Sequence, residues 1–253
     1  MFNILRSEWI KLRTVRMNFV LVLLALAFPL IISVLTAALV NINDMDAFDV
    51  VDMVRTTSVI TAMLIGVIGA TSITSEFGFG TIRPTFAATP RRMRVLAAKA
   101  IITVVVGLVI SAIVVVLCYS LASGILNSRD GNVSLSQVDG GPTALLGVVL
   151  FSGIVSLLGY GLGLLTRSSP VAVAVLILEP LVAEFIIAGL LGAAGLNDPL
   201  KWMPYQAGGQ LFSLPREITD NNGLGRVPGG LYFLVVAAAV AVVGAIVTNN
   251  RDA

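Results

Sequence analysis

Glu179 and Glu184 are the only acids set inside apolar sequence, in the run from Pro170 to Leu196. A carboxylate in a bilayer is costly, so an acid kept there marks a substrate path, a proton relay or a subunit contact. Acid–base catalysis would need a second group at similar depth, and no His, Asp or Lys is placed to partner either acid. On an α-helix Glu179 lies ~14 Å from the Pro170 end, near the middle of a ~30 Å hydrocarbon core. Five residues turn Glu184 roughly 140° away from it, so the two are not expected to share one small site. The plain alternative is that each is protonated and hydrogen-bonded, with Pro180 disturbing the helical bonding beside them.

The second chemically distinctive stretch is EFGFGTIRPTFAATPRRMRVLAAK, Glu76 to Lys99, which carries five of the sixteen Lys and Arg residues. Gly78 and Gly80 loosen the exit from the preceding apolar run. Thr89 and Pro90 read as an N-cap followed by proline at the first helical position, and basic side chains come next. The pattern reads as a short docking element presented to a partner.

The rest of the composition removes most other chemistries. There is no histidine, which excludes His-based triads, paired-His zinc sites and His-ligated haem. The single Cys118 excludes an intrachain disulfide and a multi-cysteine metal site. No Gly-Lys dipeptide occurs, so a Walker A loop is absent, and no metal site is expected. With 57% hydrophobic and 12% charged residues and a mean hydropathy of +0.98, the 253-residue chain cannot cover a soluble globule. The net charge of +2 forms no continuous basic stripe, which argues against nucleic acid.

These features are carried by an all-α membrane fold of six spans in a single transmembrane domain, residues 1–253. Residues 2–14 place Phe2, Leu5, Trp9 and Leu12 at three- and four-residue spacing, an amphipathic helix lying in the interface over about residues 1–16. A cleavable signal peptide fits poorly, because the following apolar run is long enough to span. The spans are expected at about 18–40, with a kink at Pro29, then 55–75, 100–125, 143–166, 170–196 and 231–248. Small residues recur every four positions as Ala62, Gly66 and Ala70 in the second span, Gly159 and Gly163 in the fourth, and Ala237, Ala241 and Ala245 in the sixth. Such faces admit a close helix neighbour. Ser169 and Pro170 read as the cap and first turn of the fifth span. The connector with Asp44, Asp46, Asp49 and Asp52 lacks a calcium-loop pattern and reads as a solvated acidic loop. Trp202, Tyr205 and Phe212 are expected at the outer headgroup level, in a partly inserted short helix.

Eleven of the sixteen Lys and Arg residues fall on the side of the 76–99 loop and five on the other. Both termini and that loop are therefore expected in the cytoplasm.

With its six spans, SEWIKLRTVR at the start, the 76–99 stretch and KWMPYQAGGQLF after the fifth span, the chain resembles the membrane subunit of a type 2 ATP-binding-cassette exporter of the small bacterial drug and lantibiotic kind. The resemblance implies a bacterial plasma-membrane dimer of identical or homologous permeases. Two ATP-binding subunits on the cytoplasmic face would carry ATP and magnesium, and this chain would be no enzyme and hold no cofactor. It implies that the loop between the second and third spans forms the coupling helix. Glu76, Phe77, Gly78, Gly80, Thr81, Ile82, Arg83 and Pro84 would dock on the ATPase, with Arg91, Arg92 and Arg94 leading into the third span. A path near the dimer axis, lined by the first, second and fifth spans, would bring Glu179 or Glu184 close to it. The rival is a proton-coupled secondary transporter with Glu179 as its relay, since that needs only one acid.

Overall fold

The computed structural model describes residues 16–41, 44–82, 84, 92–196, 198–215 and 223–251. The expected interfacial helix and the Thr89–Pro90 cap lie outside the described residues, as do Arg83 and Arg91. Among the described residues six helices are long and apolar enough to cross a membrane. They are α1 (Arg16–Leu39), α2 (Ala47–Gly78), α3 (Arg92–Ser128), α4 (Gly141–Thr166), a fifth span in two parts, and α8 (Arg226–Arg251). The fifth span consists of α5 (Ser169–Leu178), a π-helical turn (Glu179–Ala183) and α6 (Glu184–Ala193). A short helix α7 (Pro204–Gly209) lies between the fifth and sixth spans, flanked by 3-10 turns at Asp198–Trp202 and Gln210–Phe212. The end of the bundle where α2 stops and α3 starts is called the basic end here, and the end with α7 the far end.

Several helices start earlier than hydropathy suggests. Helix α2 begins at Ala47 instead of near Arg55 because Asp46 and Asp49 form a reciprocal capping box, Asp49 N–H to Asp46 Oδ1 at 3.0 Å and Asp46 N–H to Asp49 Oδ2 at 2.9 Å. The acidic connector is thus partly helix. At the fifth span the cap is Ser168, one residue before the expected Ser169, whose hydroxyl instead meets that of Thr74 in α2. Helix α1 runs on through Pro29.

The fourth span is the centre of the bundle and the most buried of the six, packed on α2, α3, α5 and α8. Its small residues are the reason. A Cβ added at Gly159 would sit 2.0 Å from the carbonyl oxygen of Gly66, and one at Gly163 would sit 2.8 Å from that of Ala70. The small faces of the second and fourth spans are therefore in backbone contact with each other. On another side of α4, a Cβ at Gly161 would lie 2.7 Å from the backbone nitrogen of Ala241, and Ala237, Ala241 and Ala245 are all buried. The alanine face of α8 thus seats on the fourth span.

Polar side chains reinforce the crossings by donating to backbone carbonyls of neighbouring helices: Thr61 to Ala25 at 3.0 Å, Ser156 to Thr103 at 2.9 Å and Tyr160 to Leu96 at 2.9 Å. Such bonds are worth about 1 kcal/mol each in a membrane. At the far end the Arg129 guanidinium reaches the carbonyls of Ala37 and Val40, 2.7 and 3.1 Å away, and closes the last turn of α1.

Gly159→Ala is expected to destabilise the protein by about 1–3 kcal/mol, because a methyl group must displace backbone. Gly124→Ala, with nothing within 4 Å of the new carbon, is expected to be neutral or mildly stabilising. Thermal unfolding of the two variants in the same detergent checks the contrast.

Candidate functional site

At the basic end α2 stops at a Schellman turn. Gly80, at φ +68°, is the left-handed residue; its N–H donates to the Phe77 carbonyl at 3.2 Å, and the Thr81 N–H reaches the Glu76 carbonyl at 3.0 Å. Gly80 therefore terminates the helix instead of loosening it. The turn folds Ile82 back into a cluster with Ile73, Leu96, Tyr160, Leu164 and Ala245. Gly78, Thr81 and Pro84 are exposed, and Phe79 in the turn is 83% exposed.

Glu76 does not face solvent. Its carboxylate lies 2.7 Å from the Lys99 ammonium, with the residues 6% and 4% exposed, so the helices entering and leaving the basic loop are joined by a buried ion pair. Beside it the Arg167 guanidinium, on the left-handed residue that caps α4, lies 5.0 Å over the Phe77 ring. In the sequence Lys99 marks only the end of the basic 76–99 stretch. The signal was a lone cation in LAAKAII, which demands a partner, although nothing in the order of residues says that the partner lies 23 positions upstream.

The two intramembrane acids are arranged differently from the α-helical expectation. The Glu184 N–H donates to the Glu179 carbonyl across five residues, so the side chains stand one turn apart instead of roughly 140° around the helix. Their carboxyl groups face each other. Pro180 is the cause, since it has no N–H to return to the carbonyl of Leu176. That carbonyl is reached instead by the Tyr205 hydroxyl of α7, at 3.3 Å. Glu184 in turn accepts the N–H groups of Tyr205 at 2.7 Å and Gln206 at 3.0 Å, the free donors of the first turn of α7. Glu184 is buried and caps a helix. Glu179 keeps its Oε2 buried with no hydrogen-bond partner among the described residues, and its side chain borders a groove of about 540 Å³ along one face of the fifth span, with Val171, Val175, Leu178 and Val182.

Helix α7 itself is held by aromatic packing. Phe151 of α4 stacks on Phe233 of α8, 5.5 Å between centroids, and meets Phe212 and Tyr205 edge-on. Trp202 and Tyr232 meet edge-on as well, with the Tyr232 hydroxyl on the Trp202 carbonyl at 2.8 Å. Burial, and behind it the two carboxylates, push the Tyr205 phenol above its ordinary range, so it remains a neutral donor.

A buried ion pair thus joins the helices at the neck of the basic loop, and an acid caps α7 at the other end. The model of the ABC-2 family of transporter proteins matches residues 4–180. The chain belongs to that family. It is therefore a multi-pass permease component of an ABC transporter, of a family that works with ATP-binding subunits, and is not the ATPase. No curated protein and no solved structure matches the chain. The family match ends at Pro180, so Glu184 and the Tyr205 contacts lie beyond it.

Removing one member of the ion pair takes the countercharge at 2.7 Å away from a buried charge, which costs about 3–5 kcal/mol. Lys99→Met is expected to lower the yield of folded ABC-2 chain in the membrane and its melting temperature. The double variant Glu76→Gln with Lys99→Met should recover most of both, as read by detergent-extracted yield and thermal unfolding.

Proposed function

We propose that this chain is the membrane-spanning subunit of an ATP-driven exporter in a bacterial plasma membrane, of the small drug or lantibiotic exporter kind. It forms the substrate pathway with a second, identical or homologous permease. Two ATP-hydrolysing subunits, which bind the ATP and magnesium, dock on residues 76–99. Both termini and the basic end face the cytoplasm, in keeping with the excess of Lys and Arg there.

The reading rests chiefly on the Glu76–Lys99 pair. The helices that enter and leave the loop are pinned together by that buried pair, and Ile82 is tucked into the apolar cluster beside it. A displacement applied at the Phe79–Thr81 turn is passed to the second and third spans, and through the backbone contact at Gly66 and Gly159 to the fourth. Phe79, exposed in the turn beside Gly78, Gly80, Thr81 and Pro84, is the apolar anchor that a partner would cover. Glu76 serves inside the joint, as a rigid strut, and does not touch the partner itself.

Glu179 favours a cationic cargo. Its Oε2 has no donor among the described residues, and the groove beside it is otherwise apolar, which suits an amphipathic cation. The same acid is what a proton-coupled secondary transporter would use, and that reading stands or falls by the energy source.

Phe79→Asp, or a proline inserted after Ile82, is expected to abolish ATP-dependent export while leaving the chain inserted in the membrane. The check is copurification of the ATP-binding subunit together with export from vesicles. Export driven by a proton gradient with no ATPase bound would replace the exporter by the secondary transporter. Glu179→Gln is expected to reduce export of a cationic cargo several-fold more than that of a neutral one, measured on the same vesicles; equal effects would make Glu179 structural.

A further inference from the structure

The fifth span is attached to the bundle in two unlike ways. Its first half, α5, is held by apolar packing through Ala172 and Leu176 on the second and fourth spans. In its second half, α6, the one buried residue is Glu184, while Phe185, Ile186, Ile187 and Leu190 stand 75%, 53%, 46% and 67% exposed. Between the halves Pro180 interrupts the hydrogen-bond ladder within the π-turn.

The α7 segment is built into the core of the far end. A Cβ at Gly147 of α4 would lie 2.0 Å from the Leu211 carbonyl oxygen, and one at Gly229 of α8 would lie 2.4 Å from that of Ala207. The Arg226 guanidinium holds the Ser213 carbonyl at 2.6 and 2.9 Å. Helix α7 is thus fixed to the fourth and sixth spans, and the second half of the fifth span is fixed to α7.

We propose that Glu184, by accepting the Tyr205 and Gln206 N–H groups, clasps the second half of the fifth span to the far end of the bundle, while the Tyr205 hydroxyl holds the first half to the same element, and that release of Glu184 lets the second half swing about the π-turn when the pathway opens outward. Each residue satisfies what the other's element lacks. Glu184 takes the two free N–H groups of α7, and the Tyr205 hydroxyl takes the Leu176 carbonyl that Pro180 leaves without a donor. The bonds to the carboxylate are charge-assisted and shielded from water, so they are strong while made. They are also few. One carboxylate can let go without any apolar surface of the second half having to separate from a close-packed neighbour, which is what a gate needs and a core contact cannot supply. The clasp itself is a property of this chain; only its part in transport rests on the exporter reading.

The test uses spin labels in the full chain with Cys118→Ser. One pair, Leu190→Cys with Lys201→Cys, spans the clasp. The other, Val171→Cys with Lys201→Cys, runs to the first half. Glu184→Ala is expected to broaden the distance distribution of the first pair about twofold and leave the second unchanged, because the loosening is confined to the far side of the π-turn. Tyr205→Phe, which removes only the bond to the Leu176 carbonyl of the first half, should leave the first pair unchanged, and the double variant should broaden it no more than Glu184→Ala alone. If Glu184→Ala fails to insert, Glu184→Gln, which keeps one acceptor, gives the same reading at smaller amplitude. A first pair that responds to none of these variants, or a second pair that broadens equally, overturns the clasp. In vesicles with the ATP-binding partner, Glu184→Ala should lower export about tenfold or more while ATP hydrolysis stays within about twofold, as lost charged hydrogen bonds of this kind would give. Unchanged export with broadened labels overturns the gating role. A wild-type chain that shows no ATP-driven export overturns the exporter reading and leaves the label result to decide the clasp.

Discussion

A carbonyl or carboxylate that enters the hydrocarbon core must find its donor within the protein, because lipid supplies none. That requirement accounts for the features of this bundle that hydropathy does not. The Glu76–Lys99 pair exists because the helices flanking the basic loop carry their charges below the surface. Tyr205 meets Leu176 because Pro180 withholds a hydrogen. Ser156, Thr61 and Tyr160 each spend a hydroxyl on a carbonyl of a neighbouring span. Where no side chain intervenes, as between Gly159 and Gly66, the backbones themselves come into contact.

The two ends of the bundle are closed by different means. At the basic end a charged pair and an apolar cluster under Ile82 join four spans into one block. At the far end an aromatic cluster around Phe151 carries the α7 segment, and the fifth span leans on that segment through hydrogen bonds. Rigidity therefore lies along the second, fourth and sixth spans. The first and fifth leave most of their surface outside the bundle.

The apolar runs showed six spans, and the small residues at 62, 66 and 70 and at 159 and 163 showed that close crossings exist. They did not show that these two faces meet each other, since a small-residue face does not name its partner. Helix starts were misjudged where polar caps extend a helix beyond its apolar part, as Asp46 does for α2. Glu179 and Glu184 depart from the roughly 140° separation of an α-helix because the helix does not continue unbroken across Pro180. Lys99 with Glu76 and Glu184 with Tyr205 stayed hidden because pairs 23 and 21 positions apart leave no periodic trace.

The order in which the clasp is made along the chain has its own consequence. Glu184 is synthesised 21 residues before the first amide that will satisfy it. The fifth hydrophobic segment therefore reaches the lateral gate of the translocation channel with its acid still unanswered. Partition into lipid at that moment is penalised. Residence beside the channel, or beside spans already released, is favoured until the polypeptide has grown past Gln206 and the loop can fold back. Biogenesis of this permease is in that sense retrospective: its fifth span is completed by sequence that has yet to leave the ribosome.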